Sequence, residues 1–195
     1  MVSNTGMSTT PALRVAESTW SLDNSTGELL IRTGVAGPAA RMGHRLTIIM
    51  GSWRGTVLWR SGKPLSVDLT VVVDSLQVLK GEGGVTPLSG PEKSVVRFNA
   101  LRSLDAKKYP HIRFVADDIV KKAARYRLTG TVDIHGKSRP QVVELSVDAT
   151  GEEWTMSAQT RITQSDFGVK PYSLMMGSLK VADEVMIEFT GKHPR

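Results

Sequence analysis

Lys107-Lys108-Tyr109-Pro110-His111-Ile112-Arg113-Phe114 joins, within eight residues, the end of a helix to the first positions of an alternating strand. Pro110 has no amide hydrogen and a fixed φ, and it pushes Tyr109 out of the helical region, so the chain must leave a helix here. After a short interval, Leu128-Thr129-Gly130-Thr131-Val132-Asp133-Ile134-His135-Gly136-Lys137-Ser138-Arg139-Pro140 gives a second alternating strand, a glycine-containing turn and a proline. Strand, turn and strand follow one another with no helix between them.

The same period extends outward in both directions. Leu65, Val67, Leu69, Val71 and Val73 oppose Ser66, Asp68 and Thr70, while Trp154, Met156, Ala158, Thr160 and Ile162 oppose Thr155, Ser157, Gln159 and Arg161. Trp53, Gly55, Val57 and Trp59 form a third apolar face, and Val143, Leu145, Val147 and Ala149 a fourth. Period-two patterning of this kind makes strands that are dry on one face and wet on the other. Ser61-Gly62-Lys63-Pro64, His135-Gly136-Lys137-Ser138 and Thr150-Gly151-Glu152-Glu153 supply turns between them. Many such strands imply a sandwich or a barrel. One stretch breaks the period: Ser89-Gly90-Pro91-Glu92 opens a helix in which Val95, Phe98, Leu101 and Leu104 recur at helical spacing as far as Pro110. Gly81-Glu82-Gly83-Gly84 and the segment from Pro38 to Gly43 read as loops.

Composition narrows the possibilities. With 195 residues, 40% of them apolar, the chain is long enough to bury a core as one domain. We expect a tail over residues 1–17 and one β-barrel domain over 18–192. Cysteine is absent, which removes disulfides, thiolate metal sites and a thiol nucleophile. Met1 to Ala16 is rich in Ser, Thr and Asn without an apolar run. The chain as it stands is expected to be cytoplasmic, and periplasmic or extracellular if it is a processed form. The net charge of +6 suits an anionic partner. Most cations, however, sit singly on the wet faces of strands, which argues against nucleic acid and leaves room for a transient membrane-surface contact.

Catalytic patterns are missing. His44, His111, His135 and His193 show no spacing that would place two imidazoles on one metal, so no metal site is expected. There is no nucleophile elbow, Walker loop or dinucleotide fingerprint. Asp166-Phe167-Gly168 reads as a turn in which Asp166 caps amides and Gly168 supplies backbone freedom. His44 opens a strand and could stand at a barrel mouth, and His193 reads as solvated in a C-terminal tail.

The ordered set of Thr19-Trp20-Ser21-Leu22-Asp23, Asp74-Ser75-Leu76, the Tyr109-Pro110 strand entry, the strand from Leu128 to Pro140, Asp166-Phe167-Gly168 and Leu179-Lys180-Val181-Ala182-Asp183-Glu184-Val185 resembles the YceI-like family over residues 19–191. The resemblance implies an all-β, lipocalin-like, extended antiparallel β-barrel of about eight strands with one helix between strands. It also implies non-enzymatic binding, storage or transport of a polyisoprenoid lipid or isoprenoid quinone inside the barrel, with no cofactor and no catalytic residues.

The residues themselves leave cavity and filled core even, because an eight-stranded barrel can be filled by side chains or hold one small ligand. Gly55, Gly130 and Ala158 interrupt larger residues at inward parity, and the resemblance moves the expectation to a cavity. Expected ligand-binding residues are Trp53, Val57, Leu69, Val71, Phe98, Leu101, Phe114, Tyr126, Leu128, Val132, Trp154, Met156, Ile162, Tyr172, Met175 and Met176. Two alternatives stand beside the carrier: a filled-barrel interaction module with a basic surface, and a lipid-acting hydrolase using His44 with Asp23 or Asp166. A homodimer is compatible with each.

Overall fold

The computed structural model describes residues 17–195, so all of the expected tail except Glu17 lies outside the described residues. The chain forms β1 (Glu17–Asp23), β2 (Gly27–Ala36), β3 (His44–Met50), β4 (Trp53–Arg60), β5 (Lys63–Val72), β6 (Leu76–Gly83), α1 (Gly90–Ser103), β7 (His111–Lys122), β8 (Arg125–Ile134), β9 (Lys137–Thr150), β10 (Glu153–Thr163), β11 (Ser173–Leu174) and β12 (Leu179–Pro194). One sheet runs in the order β1-β4-β5-β7-β8-β9-β10-β12-β2-β3-β6, with β11 added to β12. Every pairing is antiparallel. The sheet curls until β1 comes back against β12, where Trp20 stacks on His193 with ring centroids 4.2 Å apart.

The class is the one expected, an all-β curled barrel with one helix, but there are twelve strands rather than about eight. Two of the additions are brief or flat in pattern: β11 has two residues, and β6 ends in the stretch taken for a loop. Gly81 and Gly83 pair with Leu46 and His44 of β3. A side chain at Gly81 would press on the Cβ of His44 and on Leu88, each 3.0 Å from its first carbon, so glycine here reflects close packing rather than a loop. Within the other expected loop, Ala40–Met42 forms a 3₁₀ turn.

The helix is shorter and turned differently from its spacing. Ser89 and Glu92 form a capping box with Pro91 in the first turn. At the other end Asp105 takes φ 46°, Ala106 N–H reaches Leu101 O, and Asp105 N–H reaches Arg102 O. This closure ends α1 before Tyr109 is reached. The face toward the core carries Val96, Ala100, Leu101 and Leu104, while Val95 and Phe98 face solvent. Edge chemistry sets that rotation. β6 ends the sheet, and Lys93 Nζ donates to Leu79 O at 2.6 Å while Arg97 Nε donates to Leu76 O at 2.8 Å, covering carbonyls that no strand pairs.

The wall is not uniformly laddered. β9 pairs with β10 only as far as Glu144↔Gln159; beyond it, residues 137–143 pair with β8 and residues 160–163 with β12. One side-chain bond spans the parting, from Gln141 Nε2 to Thr160 Oγ1 at 2.7 Å. Phe167 and Val169, both buried, pack there against Ile134 and Ile162. In that turn Gly168 adopts φ 72°, as expected, but Asp166 does not cap it. Asp183 does: it accepts from the Ser165 amide at 2.8 Å and from the Ser165 hydroxyl.

Candidate functional site

The curled sheet encloses a cavity of about 540 Å³ lined by β2, β3, β4, β5, β7, β8, β9, β10 and β12, with Ala100 of α1 and Leu104 just after it across one end. Its volume lies in the usual range for small-molecule sites. Val57, Leu69, Val143, Leu145, Ala158 and Ile187 all point inward, yet each is only half-buried. In a filled barrel such positions would be closed off by their neighbours at crystal-like density. Here they face open space.

Of the residues expected from the sequence to bind a ligand, Trp53, Val57, Leu69, Val71, Phe114, Leu128, Val132, Met156, Ile162 and Tyr172 line this cavity. Leu101 and Tyr126 pack behind the lining, against the two halves of the core. Trp154 lies beyond the end of the cavity. Phe98 does not reach it, because the bonds of Lys93 and Arg97 to β6 turn that side chain outward, and it is 61% exposed. Met175 and Met176 are also outside, in a 3₁₀ turn after β11, Met176 being fully exposed.

The inward small residues divide in the same way. Gly55 and Ala158 line the cavity, and a methyl group added at Gly55 would meet nothing nearer than 3.8 Å. Gly130 does something else. β7 bulges between Ala116 and Asp118, and its backbone closes on Gly130, with Ala116 Cα 2.7 Å from where a Cβ would stand. This glycine answers a close backbone approach and not a void.

The two ends of the barrel differ. At one, Trp20, Trp59 and Trp154 gather with His193; Trp20 lies 4.5 Å from Trp59 and 6.3 Å from Trp154 between centroids, and Arg195 sits over the Trp154 ring. His193 is therefore a stacked member of β12 and not a solvated tail residue. This aromatic cluster sits at the far end of β12 from Leu179, roughly 46 Å along the strand at about 3.3 Å per residue. At the other end the cavity opens between Met42, His44, Leu88, Tyr172 and Leu174. Met175 and Met176 each hold φ 52°, a left-handed conformation that costs a residue with a side chain about 1–3 kcal/mol.

Some of the polar groups at the lining are engaged, whereas Trp53 Nε1 is buried with no hydrogen-bond partner among the described residues. Lys180 is the one residue with a full charge among those lining the cavity. His44 Nε2 donates to Thr86 O at 2.7 Å, Gln141 bonds Thr160, and Gln164 Nε2 donates to Ala182 O at 3.0 Å. Asp23 accepts from the amide and hydroxyl of Ser25, which hold its carboxyl below the usual carboxylate range. Among the described residues, no hydrogen bond joins His44 to Asp23 or Asp166, and no group of three His, Asp or Glu could hold a metal.

Sequence reasoning missed the lining from β2, β3 and β12. Leu29-Leu30-Ile31 and Leu46-Thr47-Ile48-Ile49-Met50 are nearly continuous apolar runs, in which parity cannot be read. β12 carried a usable signal: Ile187 and Phe189, which line the cavity, alternate with Glu188 and Thr190.

No curated protein matches the chain. Among solved structures it is similar to Burkholderia cenocepacia BcnA, at 22% identity and a TM-score of 0.68 over 88% of this chain and 99% of that one. It is also similar to a Campylobacter jejuni YCEI protein, at 13% identity and a TM-score of 0.52 over 100% of this chain and 93% of that one. At these identities the likeness is one of fold. The family model for the YceI-like domain matches residues 20–192, so the chain belongs to the YceI-like family.

Proposed function

We propose that this protein binds a long apolar chain of isoprenoid type, a polyprenyl lipid or isoprenoid quinone, as a non-enzymatic carrier or store. The observation that carries the reading is the set of inward-pointing residues left half-buried around a cavity of about 540 Å³ whose lining holds one full charge, Lys180. Affinity would come from hydrocarbon burial, at roughly 25 cal/mol per Å² before ordering costs. The half-buried inward residues favour this over the filled-barrel module, and the separate hydrogen-bond partners of His44 and Asp23 favour it over the hydrolase. Lys180 at the rim suits a polar or anionic head left at the mouth.

The test is mass spectrometry of an organic extract of the purified protein, followed by titration of the stripped protein with a fluorescent polyprenyl probe. About one chain per barrel, displaced by the probe, is expected. Ala158→Phe, which puts a ring into the cavity between Leu145 and Phe189, should weaken probe binding by about tenfold or more while the protein stays folded. Trace lipid only, and no probe binding by wild type, would overturn the proposal.

A further inference from the structure

We propose that the rim of the cavity mouth is a docking surface for a lipid bilayer, from which the chain bound inside is taken up. The inference rests on the carrier reading and adds to it the surface through which exchange takes place.

The rim is assembled from three loops that touch in sequence. The segment from Tyr172 to Ser178 meets the segment from Gly37 to Gly43 through the Ala39 N–H to Ser178 O bond, 2.8 Å. Next to Gly43, His44 holds the third loop through its bond to Thr86 O. Each loop presents an apolar side chain to water: Met42 is 51% exposed, Val85 77%, and Leu174 48%, with Met175 and Met176 more exposed still at the tip. Methionines are flexible and polarisable, so they suit an irregular acyl surface.

Three observations point to a bilayer. First, the exposed apolar ring is continuous with the apolar cavity, since Met42 and Leu174 belong to both. A hydrocarbon chain leaving a membrane beneath this ring would pass from one apolar phase to another without crossing water. Second, Met175 and Met176 are held outward by consecutive left-handed backbone conformations, an unfavourable arrangement that keeps both side chains at the tip. Such strain is expected where a segment is held for use. Third, the charge is complementary to an anionic surface. The chain carries +6, and Arg41, Lys170 and Lys180 at the rim take part in none of the ion pairs among the described residues. Asp166 and Asp183 lie on the same side, Asp183 already bonded to Ser165, so apolar insertion is the main term and anionic lipid an addition to it.

The experiment uses the full chain, wild type and Met175→Ser/Met176→Ser, with vesicles of phosphatidylcholine alone or mixed with phosphatidylglycerol. Three quantities are read: flotation with vesicles, the rate of extraction of a fluorescent polyprenyl probe from vesicles, and probe binding without vesicles. Wild type should float, more so with phosphatidylglycerol at low salt, and the double variant should lose flotation and extract about tenfold more slowly while binding free probe equally. Equal flotation and equal extraction by both proteins would overturn the docking surface and leave the carrier reading intact. Flotation without any probe binding would overturn the carrier reading and leave the docking surface standing. A wild-type dimer in sedimentation that the variant loses, with no flotation by either, would assign the rim to a second copy of the chain and overturn the proposal.

Discussion

His44 Nε2 donates to the carbonyl of Thr86 at 2.7 Å, and this bond fixes both the imidazole and the loop that leads into α1. With Nε2 carrying the hydrogen, the ring is a fastener between β3 and the Gly84–Leu88 stretch, and it packs against Gly84, where a side chain would collide with it. A general base needs its acceptor nitrogen aimed at substrate and a partner to orient it, and neither aspartate considered from the sequence supplies that partner.

His44→Ala is therefore expected to change binding of a polyprenyl probe by less than about tenfold, or about 1.4 kcal/mol, because affinity is spread over many apolar contacts. Amide exchange in residues 84–88 should speed up in the variant. The checks are probe titration, hydrogen exchange and incubation with lipid esters. Turnover by wild type that disappears in the variant would reverse the assignment.

Gly130 and Gly55 look alike in sequence and should behave in opposite ways. Gly130→Ala sets a methyl group against the carbonyl of Val115 and Cα of Ala116, with only backbone to move, and should destabilise by about 1–3 kcal/mol in urea unfolding. Gly55→Ala meets side chains only at van der Waals distance and should stay within about 0.5 kcal/mol of wild type.

That contrast shows what could be read in advance and what could not. Alternation assigned a face to Trp53, Leu69, Leu128 and Met156, because one pleat decides for a whole strand. It could not foresee that β7 bulges at Ala116–Asp118 and brings backbone onto Gly130, since a bulge is a property of two strands together. Phe98 and Leu101 sit at helical spacing from each other, and choosing between their faces required knowing that Lys93 and Arg97 reach the edge of β6. Tertiary hydrogen bonds, absent from any local pattern, made that choice.

Removing those two bonds should have its own signature. Lys93→Met/Arg97→Met leaves the outer carbonyls of β6 uncovered and the helix less firmly held, at a cost of about 1–3 kcal/mol. Because a bare edge recruits another edge, sedimentation should show concentration-dependent association that wild type lacks.

Asp68 and Arg113 face each other across β5 and β7, with Arg113 Nε donating to Oδ1 at 3.1 Å and a second guanidinium nitrogen to Oδ2. That hydrogen bonding, and the charge behind it, holds the Asp68 carboxyl below the usual carboxylate range, against a smaller upward push from burial. A depressed folded value means that the contribution is present above the unfolded value and lost as pH falls through the folded one. Both side chains are largely in solvent, so Asp68→Asn should cost less than about 1 kcal/mol at neutral pH. Urea titrations at falling pH should show the two proteins converging, and added salt should narrow the gap.

The tryptophan cluster at one end of the barrel bears on traffic under the carrier reading. On the carrier reading, a chain held with its tail toward the tryptophan cluster would leave head first, through the mouth by which it entered. Donor and acceptor would then come to that doorway by turns, and a cargo's polarity on arrival would be its polarity on departure. On that reading the ring stack of Trp20 on His193, 4.2 Å apart, would set the direction of handling without touching the cargo's head.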